Sequence, residues 1–124
     1  MRPRLLIAAA AAAAVVALPL GGGSHPAHAA DTTMVTVYAD HFLPATVTLA
    51  HGGTLQFFDP DPWGNGEAPG HTVTERRFPG PRFDSGVVGL GKAAEVSGVS
   101  GLAPGSYAFT CRIHPFMRGT LIVR

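Results

Sequence analysis

The sequence contains only one cysteine, Cys111, among 124 residues, so no intramolecular disulfide can form. Charged side chains are also scarce, at 14% of the chain, and the nine basic residues nearly balance the eight acidic ones. This balance gives no electrostatic reason to expect nucleic acid or an anionic membrane as a partner. A chain of this length has room for one domain, with a core large enough to fold without disulfides.

The sequence also lacks a convincing amphipathic helical pattern beyond its N-terminal segment. It has instead 16 glycines and 11 prolines in a chain that is 46% hydrophobic, which is typical of many turns between short strands rather than of disorder. Alternating apolar residues predict short strands, for example at 34–38, 54–58 and 106–110. We therefore predict an all-β protein, an antiparallel β-sandwich of seven or eight strands.

The first 30 residues have the pattern of an export signal. Two arginines precede an almost uninterrupted apolar run at 5–20, and a small-residue cleavage pattern of the A-x-A type follows at 27–29. The run is short and rich in alanine for a membrane span, which needs about 20 residues, so an uncleaved anchor is the less favoured alternative. We predict a signal helix at 1–30 and a mature domain at 31–124. The mature domain is expected to be exported to the periplasm or another extracytoplasmic space, without spanning the membrane.

Export makes the lone cysteine informative. In an oxidising compartment Cys111 is a reactive thiol, an intermolecular disulfide or a metal ligand, and only the ligand role keeps a lone thiol stable. His114 follows three positions later and Met117 three after that, giving Cys-x2-His-x2-Met. A thiolate, an imidazole and a thioether are soft and borderline donors, which suit copper better than calcium, magnesium or structural zinc.

A fourth donor has to come from elsewhere in the chain, and histidine is the natural candidate. His51 stands in a His-Gly-Gly turn and His41 at a strand end, so both are expected to be exposed loop residues. His71 follows the glycine- and proline-rich loop at 59–70 and opens a predicted strand, where a side chain is held by the sheet but still faces the loop. The predicted metal ligands are therefore His71, Cys111, His114 and Met117.

Each of these donor types has a chemical reason to be present. Two neutral imidazoles and a thiolate form a trigonal plane that serves copper(I) and copper(II), and a weak axial methionine favours copper(I). Zinc is the main alternative, but a structural zinc site normally uses only cysteine and histidine. A cysteine protease also pairs cysteine with histidine, but a histidine three residues away on the same loop does not supply the required cleft and orienting residue.

The segment 107–119, with its run Cys-x2-His-Pro-Phe-Met-Arg-Gly, closely resembles the copper loop of the cupredoxins, the family of blue copper proteins. The chain looks like the plastocyanin and pseudoazurin type, and the loop is most similar to that of the amicyanins. Weaker matches extend the resemblance over 34–124, including Gly70-His71-Thr72-Val73 and Phe83-Asp84-Ser85-Gly86. The resemblance implies a Greek-key sandwich with one type 1 copper per chain.

The resemblance also implies a function. It indicates a soluble one-electron carrier, not an enzyme, that cycles between copper(I) and copper(II) and serves exported or membrane-bound redox proteins. It makes His114 the electron port, with the redox donor and acceptor docking near His114, Pro115 and Phe116, between Arg112 and Arg118. We expect the protein to be a monomer.

Two other functions are alternatives to the electron carrier. A copper-binding module for trafficking or buffering would use the same ligands, and the sequence discriminates it poorly from a carrier. A copper oxidase or nitrite reductase would need additional copper centres and several domains, and the segment 31–124 is short and has no His-x-His pair. The enzyme is therefore the less favoured alternative.

The chain departs from the family in two places. Family members commonly carry an asparagine that braces the copper loop near the end of the strand before the first histidine, whereas Asp59 or Asp61 stands there in this sequence. We expect this change to alter the hydrogen bonding to the thiolate. The loop at 59–70 is also longer than in amicyanin, and we expect it to reshape the docking face.

Overall fold

The computed structural model describes residues 31–60 and 69–124, and the predicted signal segment at 1–30 lies outside these ranges. Eight strands and one short 3-10 helix, Val99–Gly101, are found in the described ranges. The strands are β1 Thr32–Tyr38, β2 His41–Leu43, β3 Thr46–Leu49, β4 Thr54–Asp59, β5 Thr74–Glu75, β6 Lys92–Glu95, β7 Gly105–Thr110 and β8 Arg118–Val123. Within the same ranges, no helix has the length and hydropathy needed to cross a membrane.

The strands form two four-stranded sheets, in the orders β2-β1-β4-β6 and β3-β8-β7-β5. The predicted all-β sandwich of seven or eight strands is therefore confirmed, although its sheets are not wholly antiparallel as expected. Both sheets are mixed, because β1 pairs parallel to β4 and β3 pairs parallel to β8, while the other pairs are antiparallel. Parallel pairing requires a connection that crosses over rather than a tight hairpin, and local alternation of residues does not reveal it.

The alternation along β4 shows how the core continues into a polar site. Leu55 and Phe57 are fully buried, whereas Gln56 and Phe58 are only half-buried on the other face. Because side chains alternate along the strand, its last residue, Asp59, also points toward the interior and is 1% exposed. The strand therefore delivers a carboxylate to the buried end of an otherwise apolar face.

An aromatic cluster joins the two sheets beneath the loop that connects β7 and β8. The ring of Phe42 packs edge-on against Phe109 at 4.9 Å and against Phe57 at 6.2 Å. Gly119 lies opposite Phe109 in the β7–β8 register, and a Cβ atom at this position would lie 2.2 Å from the Phe109 ring. Glycine at position 119 therefore lets the ring fill the core directly below the start of β8.

Strand β6 is short. It ends at Glu95, and the chain then passes through Gly98, whose φ of 92° lies in the left-handed region, into the 3-10 helix. Val96 and Ser97 still form backbone hydrogen bonds, to Leu55 and Asp84 respectively. The backbone therefore stays paired although the regular strand has ended.

Arg82 is part of the fold rather than of a freely solvated loop. Its Nε lies 3.0 Å from Oε1 of the buried Glu75, its backbone N–H donates to Oε2 at 2.7 Å, and its Nη2 also contacts the carboxylate. The guanidinium lies 4.6 Å above the Tyr107 ring centre. The hydrogen bond from Arg82 holds the pKa of Glu75 below its ordinary value, although burial acts in the opposite direction.

This lowered pKa predicts how stability depends on pH. The ionised Glu75 makes its full contribution to the free energy of unfolding when the pH is above the pKa of an unfolded glutamate, about 4.3. This contribution is lost as the pH falls through the lower folded-state pKa. We expect Glu75→Gln to lower the urea midpoint of the metal-free protein at neutral pH. The gap to the wild type should shrink as the pH falls below about 4. A gap that stays constant down to about pH 3 would contradict the role of the ion pair.

Candidate metal centre

His71 is held in place by a backbone pair with Val88. The His71 N–H donates to the Val88 carbonyl at 3.0 Å, and the Val88 N–H donates to the His71 carbonyl at 2.8 Å. The prediction that His71 opens a strand is wrong in detail, because this is an isolated bridge and β5 begins at Thr74. Gly70 explains why the chain comes so close to Val88 at this point. Its φ is 130°, and a Cβ atom there would lie 2.1 Å from the Val88 oxygen. Only glycine allows this approach.

The His71 ring is buried between two carboxylates. It is 3% exposed, with Nδ1 2.9 Å from Oδ2 of Asp59 and Nε2 3.3 Å from Oδ1 of Asp40. A carboxylate that accepts from one ring nitrogen fixes the orientation of the ring and directs the other nitrogen toward a metal. The contact with Asp59 therefore gives His71 the environment of a metal-binding histidine.

Cys111 follows β7 directly and is fully buried. Its Sγ accepts two backbone N–H groups, from Thr72 at 3.4 Å and from His114 at 3.4 Å. The Nδ1 atom of His114 lies 3.8 Å from the same sulfur. Backbone N–H groups directed at the sulfur are the partners that a metal-bound thiolate accepts, because they leave its remaining lone pairs available.

Hydrogen bonds to backbone carbonyls close the segment from Cys111 to Met117 into a turn. Thr110 Oγ1 donates to the Met117 carbonyl at 2.7 Å, the Met117 N–H donates to the His114 carbonyl at 2.9 Å, and the Cys111 N–H donates to the Met117 carbonyl at 3.3 Å. Met117 is buried, at 2% exposed. The turn thus brings the last residue of the Cys-x2-His-x2-Met motif back beside the first.

A chain of hydrogen bonds joins the His71 segment to the Cys111 loop. The Arg112 N–H donates to Thr72 Oγ1 at 2.9 Å, the Thr72 and Thr74 hydroxyls lie 2.9 Å apart, and Thr74 Oγ1 donates to Asp84 at 3.0 Å. The Arg112 guanidinium completes this network through an ion pair with Asp84 at 2.9 Å. Both segments are therefore fixed relative to each other before any metal binds.

Asp59 was expected to affect the hydrogen bonding of the thiolate, and its described contact is with His71. Asp59 contacts His71, and the sulfur of Cys111 accepts from the backbone of Thr72 and His114 instead. Asp61, the other aspartate considered at this point, lies outside the described residues. Asp59 therefore acts directly on the histidine that is predicted to bind the metal.

Three of the predicted ligands converge. The rings of His71 and His114 lie 4.8 Å apart, and His114 in turn faces the Cys111 sulfur. Met117 lies in the same loop, and its observed polar contacts are made by its backbone. The other two histidines of the described residues, His41 and His51, are exposed as expected.

Asp40 is a candidate that sequence reasoning missed. Its carboxylate and the imidazoles of His71 and His114 each offer a ligand atom, and these atoms all lie within 4.8 Å of one another. Asp40 lies in the turn between β1 and β2, and only the parallel pairing of β1 with β4 carries this turn to the end of β4 at Asp59. No local pattern in the sequence predicts that pairing.

The donors fit a copper ion. Two imidazoles and a buried thiol that already accepts two N–H groups form a mixed nitrogen and sulfur set, and such a set suits copper. Zinc accepts nitrogen and sulfur as well, and the methionine of the motif is the donor that distinguishes the two metals.

Solved copper proteins share this fold. The P52G mutant of amicyanin, in its reduced Cu(I) form, superposes with a TM-score of 0.59 at 22% identity, covering 79% of this chain and 88% of that chain. A purple cupredoxin from Nitrosopumilus maritimus gives a TM-score of 0.57 at 16% identity, covering 73% and 98%. At these identities the likeness concerns the fold alone.

A copper-containing nitrite reductase from Thermus scotoductus SA-01 also superposes, with a TM-score of 0.59 at 24% identity. The match covers 75% of this chain but only 22% of the reductase, so the chain corresponds to a small part of that enzyme. No curated protein matches the sequence significantly.

The family is established by a match that covers most of the sequence. The cupredoxin-like domain family matches residues 6–123. The two mixed sheets and the neighbouring copper proteins agree with this match. The chain therefore belongs to the cupredoxin-like family.

Proposed function

We propose that the protein is a one-electron carrier, and not an enzyme, which binds a single copper ion through His71, Cys111, His114 and Met117. The observation that carries this proposal is the approach of His114 to both remaining ligand segments. Its Nδ1 lies 3.8 Å from the Cys111 sulfur, and its ring lies 4.8 Å from that of His71. Copper bound by such donors supplies exchange between the Cu(I) and Cu(II) states.

Rigidity favours electron transfer over copper trafficking. A carrier gains speed when its ligands do not move on a change of oxidation state, whereas a trafficking site has to release its ion to an acceptor. Hydrogen bonds and an ion pair join the His71 segment to the Cys111 loop, through Thr72, Thr74, Asp84 and Arg112. The Cys111 side chain is fully buried. These contacts support a site that holds its metal while it exchanges electrons.

The proposed route for the electron passes through His114. Unlike Cys111 and His71, which are buried, His114 is half-buried, and its ring lies 5.9 Å from that of Phe116. Phe116 is 65% exposed and is flanked by the exposed Pro115. An exposed apolar patch next to a half-buried ligand supports docking of the redox donor and acceptor at this face.

Charged residues near the patch would orient a partner. Arg112 and Arg118 are both exposed, and Arg112 is 57% exposed even though it pairs with Asp84. Charges at the rim of an interface affect the rate and orientation of association more than the affinity. The arrangement suits a partner with acidic groups around an apolar centre.

We further propose that the mature domain comprises residues 31–124 and works as an exported monomer, in the periplasm or another extracytoplasmic space. The support is the signal-like pattern of the first 30 residues and the lone thiol, which is buried in the described fold. A buried, metal-bound thiolate is protected from oxidation in that compartment.

The copper site predicts an intense visible band. Copper(II) added to the purified protein should bind at one ion per chain and give strong thiolate-to-copper charge transfer. Cys111→Ser should abolish the band, because the hydroxyl that replaces the thiolate is not a soft donor. His51→Ala removes an exposed histidine outside the site and should leave the band unchanged. Visible absorption with metal analysis makes the measurement.

Three results would contradict this proposal. Retention of the band by Cys111→Ser would remove the cysteine from the ligand set. Loss of copper to a chelator during a single reduction and reoxidation cycle would favour trafficking, and binding of several copper ions per chain would favour an enzyme.

The docking face predicts the rate of electron exchange between copies of the protein. Phe116→Asp should slow electron self-exchange, measured by NMR on mixed oxidised and reduced protein, by about tenfold, because like charges then meet at the contact. Met34→Asp makes the same kind of change at another half-exposed apolar residue, on β1, and should have little effect. Equal slowing by both variants would show a general charge effect and would remove Phe116 from the docking face.

A further inference from the structure

The two nitrogens of the His71 ring both face carboxylate oxygens. Nδ1 lies 2.9 Å from Asp59 and Nε2 lies 3.3 Å from Asp40. Asp59 is 1% exposed and Asp40 is 28% exposed, so the contact with Asp59 is both the shorter and the more deeply buried of the two.

The contact between Nε2 and Asp40 is the longer of the two, and Asp40 is half-buried. Two donors that share a tetrahedral ion, each at about 2.1 Å, stand about 3.4 Å apart. The observed separation of 3.3 Å therefore matches that of two atoms bound to one metal ion.

His114 completes this arrangement. One ligand atom from each of Asp40, His71 and His114 lies within 4.8 Å of the other two. Two imidazoles and one carboxylate form a recognised set for divalent transition metals, and nitrogen and oxygen donors suit copper(II) in particular. The thiolate and thioether of the same centre are by contrast the donors that favour copper(I).

The backbone places Asp40 here without help from its side chain. Ala39 and Asp40 have φ of 47° and 61°, and Tyr38 pairs with His41 across them, so they form the two-residue turn between β1 and β2. The β1 strand runs parallel to β4, with Thr36 opposite Phe58. The turn therefore lies beside the end of β4, where Asp59 faces inward.

We propose that Asp40 is an additional metal ligand, whose carboxylate oxygen binds the ion that His71 and His114 hold. This inference rests on the proposed copper site and adds a hard donor to its soft set. Because carboxylate oxygen favours copper(II) over copper(I), Asp40 lowers the reduction potential of the centre. It also lets the two histidines hold a divalent ion when the thiolate is absent.

Asp59 has a different role in this scheme. Its Oδ2 contacts Nδ1, the nitrogen turned away from Asp40, so Asp59 positions the His71 ring. The two aspartates therefore act on opposite sides of one imidazole: Asp59 orients it, and Asp40 shares its metal.

The test compares Asp40→Asn with Asp31→Asn, which makes the same substitution at an exposed residue before β1. Asparagine tolerates the left-handed conformation of position 40, so the turn is retained. Each substitution is made in the wild type and in Cys111→Ser, and Cu(II) and Cu(I) affinities, the reduction potential and the Cu(II) EPR spectrum are measured. Asp40→Asn should weaken Cu(II) binding at least about tenfold in both backgrounds. In the wild-type background it should leave Cu(I) binding nearly unchanged, raise the potential and alter the copper hyperfine coupling.

Unchanged Cu(II) affinity and an unchanged EPR spectrum in Asp40→Asn would overturn the inference. A raised potential with an unchanged EPR spectrum would also overturn it, because Asp40 would then act only through its charge. Either result leaves the proposed function intact if the wild type keeps its thiolate charge-transfer band. Absence of that band in the wild type would instead contradict the proposed function itself.

Discussion

The link between Thr72 and Cys111 is the constraint on which the rest of the site depends. It joins segments that are 39 residues apart, through a backbone N–H directed at the sulfur. The Thr72 hydroxyl adds the bond from Arg112, and Asp84 closes the network from the far side. Because His71 and Cys111 each adjoin these bonds, the positions of a remote histidine and of the lone cysteine are set by the fold rather than by a metal.

The same constraint explains how the packing supports the proposed function. The alternation of side chains along β4 places Asp59 in the interior, where it contacts the His71 ring. Gly119 allows Phe109 to fill the core below the β7–β8 turn, so the Cys111 loop rests on a close-packed base. Of the four predicted ligands His71, Cys111, His114 and Met117, only His114 is half-buried rather than buried, and it lies beside Phe116. A buried centre with one partly exposed edge is what a carrier needs to exchange electrons without losing its metal.

Much of this could be predicted from the sequence because the relevant patterns are local. Alternation identified the sandwich, and the spacing of Cys111, His114 and Met117 identified soft donors on one loop. His71 followed from its place after a long loop, although its strand begins three residues later, at Thr74. Asp40 could not be found this way, because its approach to His71 depends on the parallel pairing of β1 with β4. Pairing between distant strands leaves no trace in local alternation.

The most direct test of the central claim is a crystal structure of the copper-loaded protein with anomalous diffraction at the copper edge. The account predicts one copper peak per chain, bound by Sγ of Cys111 and by imidazole nitrogens of His71 and His114, with the Met117 sulfur as the weak fourth donor. A copper peak at His41 or His51, with Cys111 unbound, would contradict it.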